Sequence, residues 1–363
     1  MKRQLLLIIL IISLFMILFF KKHFIEKFTT FNAYCQVPEL LNKVLEDKSI
    51  KKDSKNYDFY IPCSYNSCEK DILKFENTIT GKKLFLIDGC DWIGSKFALW
   101  KLIKERYGDD ANKYMPQTFL LDNIDDVKLF KSYYKPNQMY VLKNYEQRQQ
   151  GIKLTKNLEE ILSGYNNGWY LVQDYIYNPF IINNRKINFR YYLLVVCKNG
   201  TIQGYIHKDG FMYYTPKFYD PNDIDFDKHI TTGYIDRKVY TENPLTLDDF
   251  RDYLDNKSNL VFNRKPSIIF DYNGQTLMNK IMDAISFKIC KNPKLYKHTR
   301  FQLFGCDLAP DAQLNMVLME INKGPDMNAK DERDKQVKYK VQEDILTLLD
   351  QEDLESTRFI RIY

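Results

Sequence analysis

Histidine is scarce, four in 363 residues, and the seven cysteines form no Cys-x-x-Cys pair. The chain therefore lacks the ligand spacing of a zinc site. The cysteines (Cys35, Cys63, Cys68, Cys90, Cys197, Cys290, Cys306) are odd in number and scattered, without a disulfide framework. Free thiols and a reducing compartment are the expectation. Neither sign of charge dominates: 53 basic residues stand against 47 acidic ones, net +6, and Lys2, Arg3, Lys21 and Lys22 supply four of that excess. A nearly neutral body argues against nucleic-acid binding driven by phosphate neutralisation, which would keep its excess charge in the folded part. The Gly-Lys-Ser/Thr ending of a Walker loop is missing, no nucleophile triad is apparent, and no repeat recurs at solenoid periods. With 45% hydrophobic and 28% charged residues the composition is globular, which excludes disordered and collagen-like chains.

Long apolar runs are absent but for one. Leu5 to Phe20 is interrupted only by Ser13. As a helix it would span about 24 Å against a hydrocarbon core of about 30 Å, and snorkelling by Lys21 and Lys22 covers the shortfall. Phe19, Phe20, Lys21, Lys22 and His23 replace the small residues of a cleavage site. Residues 1–22 are thus expected to form one uncleaved transmembrane anchor, with a signal peptide as the alternative. The flanking charges balance, so orientation rests on the thiols, which place the body in the cytoplasm. Two sequons, Asn199-Gly200-Thr201 and Asn256-Lys257-Ser258, would be modified only on a luminal body.

Residues 23–80 are Lys- and Asn-rich with weak periodicity and read as a spacer with irregular first elements. Strand signals follow at 84–87, 139–143, 169–176, 187–197, 201–207, 301–308 and 314–321. Helical periodicity marks 96–107 (stopped at Gly108), 158–162, 277–289 and 337–349. Strands and helices mix without strict alternation, which predicts an α+β fold.

Four constellations could carry chemistry. Glu320 and Asn322 project to one strand face, and a hairpin centred between residues 313 and 314 would set Asp307 opposite Glu320. Three oxygen donors converging on an apolar patch suit Mg²⁺ bound with nucleotide phosphates; exposure at a strand end is the alternative. Lys186, Asn188 and Arg190 share one strand face, giving phosphate-binding cations or a solvated surface. Lys143 ends a strand and precedes a loop closed by Gly151, where a point charge could hold a phosphate. The strand 169–176 could read adenine through its backbone, or be core alone.

In order along the chain, Val141-Leu142-Lys143, Gln150-Gly151-Ile152, Gln173-Asp174-Tyr175-Ile176-Tyr177-Asn178-Pro179, Lys186-Ile187-Asn188-Phe189-Arg190, His229-Ile230-Thr231-Thr232 and Asp307 … Glu320-Ile321-Asn322-Lys323-Gly324-Pro325 resemble the tubulin–tyrosine ligase-like family. The helix from Lys96 and the stretch Met115-Pro116-Gln117-Thr118-Phe119 resemble its N-terminal lobe. The resemblance covers about residues 90–345 and implies an ATP-grasp fold, with lobes at 81–135, 136–186 and 187–363. It implies ATP and Mg²⁺ as cofactors. Lys96, Lys143, Lys186, Asn188 and Thr231 would bind nucleotide, Gln173, Asp174, Tyr175 and Ile176 would frame adenine, and Asp307, Glu320 and Asn322 would hold the metal. Arg190, near the γ-phosphate, and Glu320 would be catalytic. The implied reaction activates a protein carboxylate, tubulin being one acceptor, as an acyl phosphate that an amino acid's amine attacks. Three positions depart from the family pattern: Asn188 replaces Asp, Thr232 replaces Asn, and Tyr213 stands where an arginine pairs with the amino acid's carboxylate. Lys217 or Arg237 could compensate. The rival readings are a degraded nucleotide-binding scaffold on the same fold and an ATP-grasp enzyme joining small molecules.

Overall fold

The computed structural model describes residues 28–66, 68–145, 151–258, 260 and 262–363. The expected anchor over 1–22 and Gln150 of the loop motif lie outside the described residues. Among the described residues no helix is long and apolar enough to cross a membrane.

The architecture is mixed α and β, built on two sheets. The larger runs in the order Phe359–Arg361, Thr201–His207, Arg185–Lys198, Thr299–Pro310, Lys83–Leu84, Phe59–Tyr60, Thr30–Asn32, Lys51–Lys52. Phe211–Tyr214 and Ile181–Ile182 also pair with the long strand Arg185–Lys198, and Met316–Asn322 pairs with Thr299–Pro310. Its long strands are antiparallel, whereas the short ones from Thr30 to Leu84 are parallel to one another and to Thr299–Pro310. The second sheet, Thr118–Leu120, Leu171–Asp174, Tyr140–Lys143 and Ile152–Thr155, is antiparallel throughout.

Local signals explain the best-defined elements. The helix Lys96–Tyr107 starts where the Ser95 hydroxyl accepts from the Ala98 N–H at 3.3 Å and stops at Gly108, whose φ of +57° a side chain would resist. Asn199 and Gly200, both at positive φ, turn Arg185–Lys198 into Thr201–His207 with Lys198 opposite Thr201. One hydrophobic core fills the large sheet and its covering helices. A separate one, with Phe119, Phe130, Tyr140 and Leu142, lies under the small sheet.

Two expectations need correction. Residues 28–80 are no spacer: Phe31, Val44, Leu45, Phe59, Tyr60 and Ile72 are buried in the main core, and their strands extend the main sheet. The strands are two or three residues long, too short for period-two alternation to be visible. The cysteines are not a set of free thiols. Cys35 bonds Cys63 and Cys197 bonds Cys290, with Cα atoms 5.3 and 6.3 Å apart. Pairing depends on which strands become neighbours, which spacing along the chain does not reveal. The thiol argument for a reducing compartment falls with it.

Candidate functional site

Three adjacent strands of the large sheet align the first half of the site. Arg190 on Arg185–Lys198 lies opposite Asp307 on Thr299–Pro310, and Asp307 lies opposite Glu320 on Met316–Asn322. The expected Asp307–Glu320 pairing is present, for a different reason. Leu308 pairs with Leu318 and Pro310 with Met316, a register that would continue to set Asp307 against Met319. One extra residue at this point slips the register and delivers Glu320 instead.

The side chains follow the backbone. Arg190 grips Asp307 with two bonds, Nε to Oδ1 at 2.6 Å and Nη2 to Oδ2 at 3.0 Å. The Asn322 amide donates to Glu320 Oε1 at 3.3 Å, so the third expected oxygen ligand joins the row. Gly305 lies close beneath: a Cβ there would sit 3.0 Å from Pro325 Cβ and 3.1 Å from Arg190 Cδ and Nη1, so a side chain would press on the arginine. Burial pushes the Asp307 carboxyl up, the Arg190 charge only partly opposing it. Burial also acts on Glu320, but Lys96, Lys143 and Arg190 together outweigh it and hold that carboxyl below its ordinary value. Two neighbouring carboxylates ringed by cations, with an amide oxygen beside them, form a donor set that a small divalent cation fits.

The second half comes from the small sheet and the start of the long strand. Lys143 is buried at the end of Tyr140–Lys143, and its Nζ donates to Gln173 Oε1 at 2.7 Å. Gln173 in turn donates to Thr118 Oγ1 at 2.8 Å, and Thr118 to the Pro116 carbonyl at 2.8 Å. Lys186 is also buried, with its ammonium 4.3 Å from the Tyr175 ring centre. No carboxylate among the described residues lies within ion-pair distance of Lys143 or Lys186. Burial lowers Lys143 to about 8, against the attraction of Glu320. Burial and then Lys143 lower Lys186 to about 7. Two neighbouring ammonium groups held out of water cost several kcal/mol, a cost that an anionic ligand would offset.

Electrostatic coupling ties the two halves together: Lys143 feels Glu320 and Asp307, and Lys186 feels Lys143. Lys96, at the start of its helix, acts electrostatically on both Glu320 and Lys143. Asn188 Oδ1 is buried without a hydrogen-bond partner among the described residues, an acceptor aligned with Lys186 and Arg190 that suits a hydroxyl-bearing ligand. Asp174, Tyr175 and Ile176 edge a hollow of about 370 Å³ against Met316 and Val317. Asp174 accepts from the Tyr133 hydroxyl. The side chain of Gln173 is spent on Lys143 and Thr118, so its role is to position that lysine. Thr231 follows the short helix Phe226–His229 and is half-buried.

Other placements were not foreseen. His229 is buried and neutral: its Nδ1 meets the Tyr175 hydroxyl at 2.8 Å and its Nε2 the Asp223 carbonyl at 2.8 Å, so the Nε2–H donates and Nδ1 accepts. Burial lowers its pKa. Thr118 and His229 act through Gln173 and Tyr175, long-range partners that no local spacing discloses. Tyr213 lies opposite Asn188, with its ring 5.2 Å from the Arg190 guanidinium. The cations that could replace a lost arginine are engaged: Lys217 with Asp225 and Asp227, Arg237 with Asp331.

Comparison with known proteins adds the following. Residues 75–356 match the family described as "Tubulin-tyrosine ligase family". Tubulin glycylase 3B of Drosophila melanogaster is 25% identical over 268 residues, 69% of this chain and 33% of that protein. Probable tubulin polyglutamylase ttll-9 of Caenorhabditis elegans is 25% identical over 189 residues, 50% and 42% of the two chains. Inactive polyglycylase TTLL10 of Homo sapiens is 24% identical over 240 residues, 59% and 35%. The matched stretch spans between a third and under a half of these relatives.

Proposed function

The chain belongs to the tubulin-tyrosine ligase family, and we propose on that premise that it is an ATP- and Mg²⁺-dependent ligase joining an amino acid to a protein carboxylate. One observation carries the reading: two neighbouring buried lysines, without carboxylate partners among the described residues, lie close enough to a carboxylate pair for Lys143 to feel both of its members. In this reading the fold is ATP-grasp, with lobes at 81–135, 136–186 and 187–363. ATP supplies the phosphoryl group and Mg²⁺ the charge that neutralises it. Asp307, Glu320 and Asn322 hold the cation. Lys96, Lys143 and Lys186 bind phosphates, Asn188 and Thr231 bind the nucleotide, and the 173–176 hinge receives adenine. Arg190 neutralises charge developing on the transferred group, since phosphoryl transfer needs positioning and charge compensation more than a covalent protein group. A carboxylate oxygen takes the γ-phosphoryl group and ADP leaves. The amine then attacks the acyl carbon, phosphate leaves, and one amine proton passes to solvent.

The relatives' names carry tubulin, glycylation and polyglutamylation, so tubulin with glycine or glutamate is the first pair to try. The nearly neutral body offers no strong field for an acidic tail. Attachment to a membrane through residues 1–22 belongs to the same reading: carbonate-resistant pelleting should vanish on deleting them.

A second reading, a nucleotide-binding scaffold without ligation, is favoured by Tyr213 and by the ion pairs that occupy Lys217 and Arg237. Labelled ATP with Mg²⁺, amino acids and acceptor separates the two. ADP release with amino-acid incorporation is expected, and Glu320→Gln should lower it by about 100-fold or more. Nucleotide binding with no ADP release in any mixture selects the scaffold. Undiminished turnover in Glu320→Gln refutes the metal assignment.

A further inference from the structure

The disulfides, not the cleft, carry the next step. Cys35 and Cys63 are both solvent-exposed. In a glutathione-buffered compartment an exposed disulfide is open to thiolate attack and does not persist. Cys197 and Cys290 are buried and tie residues 93 apart in sequence. The free cysteine among the described residues, Cys306, is buried in the sheet. This is the pattern of a body folded under oxidising conditions.

The same end of the molecule offers a modification site. Asn199 stands two residues beyond Cys197, in the turn of the 185–207 hairpin. Asn199, Gly200 and Thr201 are all exposed. The Asn199 amide has no hydrogen-bond partner among the described residues, and the Thr201 hydroxyl donates to the Lys198 carbonyl at 2.6 Å. At Asn256, by contrast, Nδ2 is tied to the Asp252 carbonyl at 3.0 Å and Ser258 is half-buried with its hydroxyl on the Leu254 carbonyl. Nine residues of extended strand separate Arg190 from Asn199, about 30 Å at roughly 3.3 Å per residue. A bulky group there leaves the cleft open.

We propose that Asn199 is an N-glycan acceptor on a body that matures outside the cytosol. The Asn199 amide nitrogen bonds the anomeric carbon of a lipid-diphosphate-linked oligosaccharide. The bond from that carbon to diphosphate oxygen breaks, the lipid diphosphate leaves, and the amide gives up one proton. Each cysteine pair passes two electrons and two protons to a disulfide-donating oxidant, which leaves as a dithiol. The cytoplasmic placement expected from free thiols is thereby reversed.

The inference stands apart from ligase chemistry, and its readouts are glycan and thiol state. The test is the full chain made in a eukaryotic cell, alkylated at lysis and mapped by peptide mass spectrometry with and without amide-cleaving glycosidase. Cys35, Cys63, Cys197 and Cys290 should resist alkylation until reduced, and the enzyme should convert Asn199 to aspartate with a drop in apparent mass. Asn199→Gln and Thr201→Ala should each abolish that drop. Alkylation of the four cysteines without reduction, an unmodified Asn199, or a glycan on Asn256 alone would overturn the proposal.

Discussion

In one part of the site Lys143 and Lys186 are buried against a neutral amide and an aromatic ring; in another, farther along the strand that carries Lys186, Arg190 arrives already paired with Asp307. The two parts carry charge of the same sign under opposite conditions. The lysines lose solvation and gain no carboxylate, so their protons are held loosely. The arginine's charge is matched in place, and it partly offsets the burial that pushes the Asp307 carboxyl up. A site that must take up a polyanion benefits from both, since unmatched cations supply attraction and a matched one supplies fixed geometry.

The comparison breaks most sharply at Arg190. Its replacement by alanine strands Asp307 as a buried carboxylate without a cation, and unfolding by denaturant should show a loss of about 3–5 kcal/mol. An unchanged midpoint would mean that the row is not buried as described. Lys186→Met should act in the opposite direction on stability. It removes an uncompensated buried charge, so the nucleotide-free protein should melt higher, while nucleotide affinity falls by at least about tenfold. Both effects moving downward would show that Lys186 has a partner in the free protein.

The smallest effect is on pH. Lys186, lowered to about 7, and Lys143, lowered to about 8, hold fewer protons in the folded chain than in the unfolded one above those values. Stability of the free protein should therefore rise with pH from about 7 towards the unfolded lysine range. Nucleotide binding favours the charged lysines, so affinity should fall over the same interval, with proton uptake on binding near pH 8. Titration calorimetry in buffers of different ionisation enthalpy reads that uptake, and its absence would remove the lysines from the phosphate site.

Much of the frame was legible from local signals. The helix 96–107 has apolar periodicity, a serine cap and a terminal glycine, and the 185–207 hairpin has Asn-Gly between two apolar runs. Each is fixed by contacts within a few residues. The helices Ile124–Tyr133 and Leu247–Asn256 went unforeseen although Asn123 and Thr246 cap them. So did the first half of Pro266–Ile285, where polar and aromatic residues blur the period. Among site residues, Lys143, Lys186, Arg190, Asp307, Glu320 and Asn322 were found by alternation along strands and by resemblance. Thr118, His229 and the packing of Tyr213 on Arg190 depend on segments distant in sequence.

The sequence alone determined which residue types line each strand face and where the strongest helices begin and end, because side-chain alternation and capping act over a few positions. Tertiary structure decided the rest. The slip near Met319 chose Glu320 as the partner of Asp307, the joining of four short parallel strands turned 28–80 into core, and strand neighbours selected which cysteines bond. Each of these depends on distances between residues tens to hundreds of positions apart, and those distances are set only when the chain closes on itself.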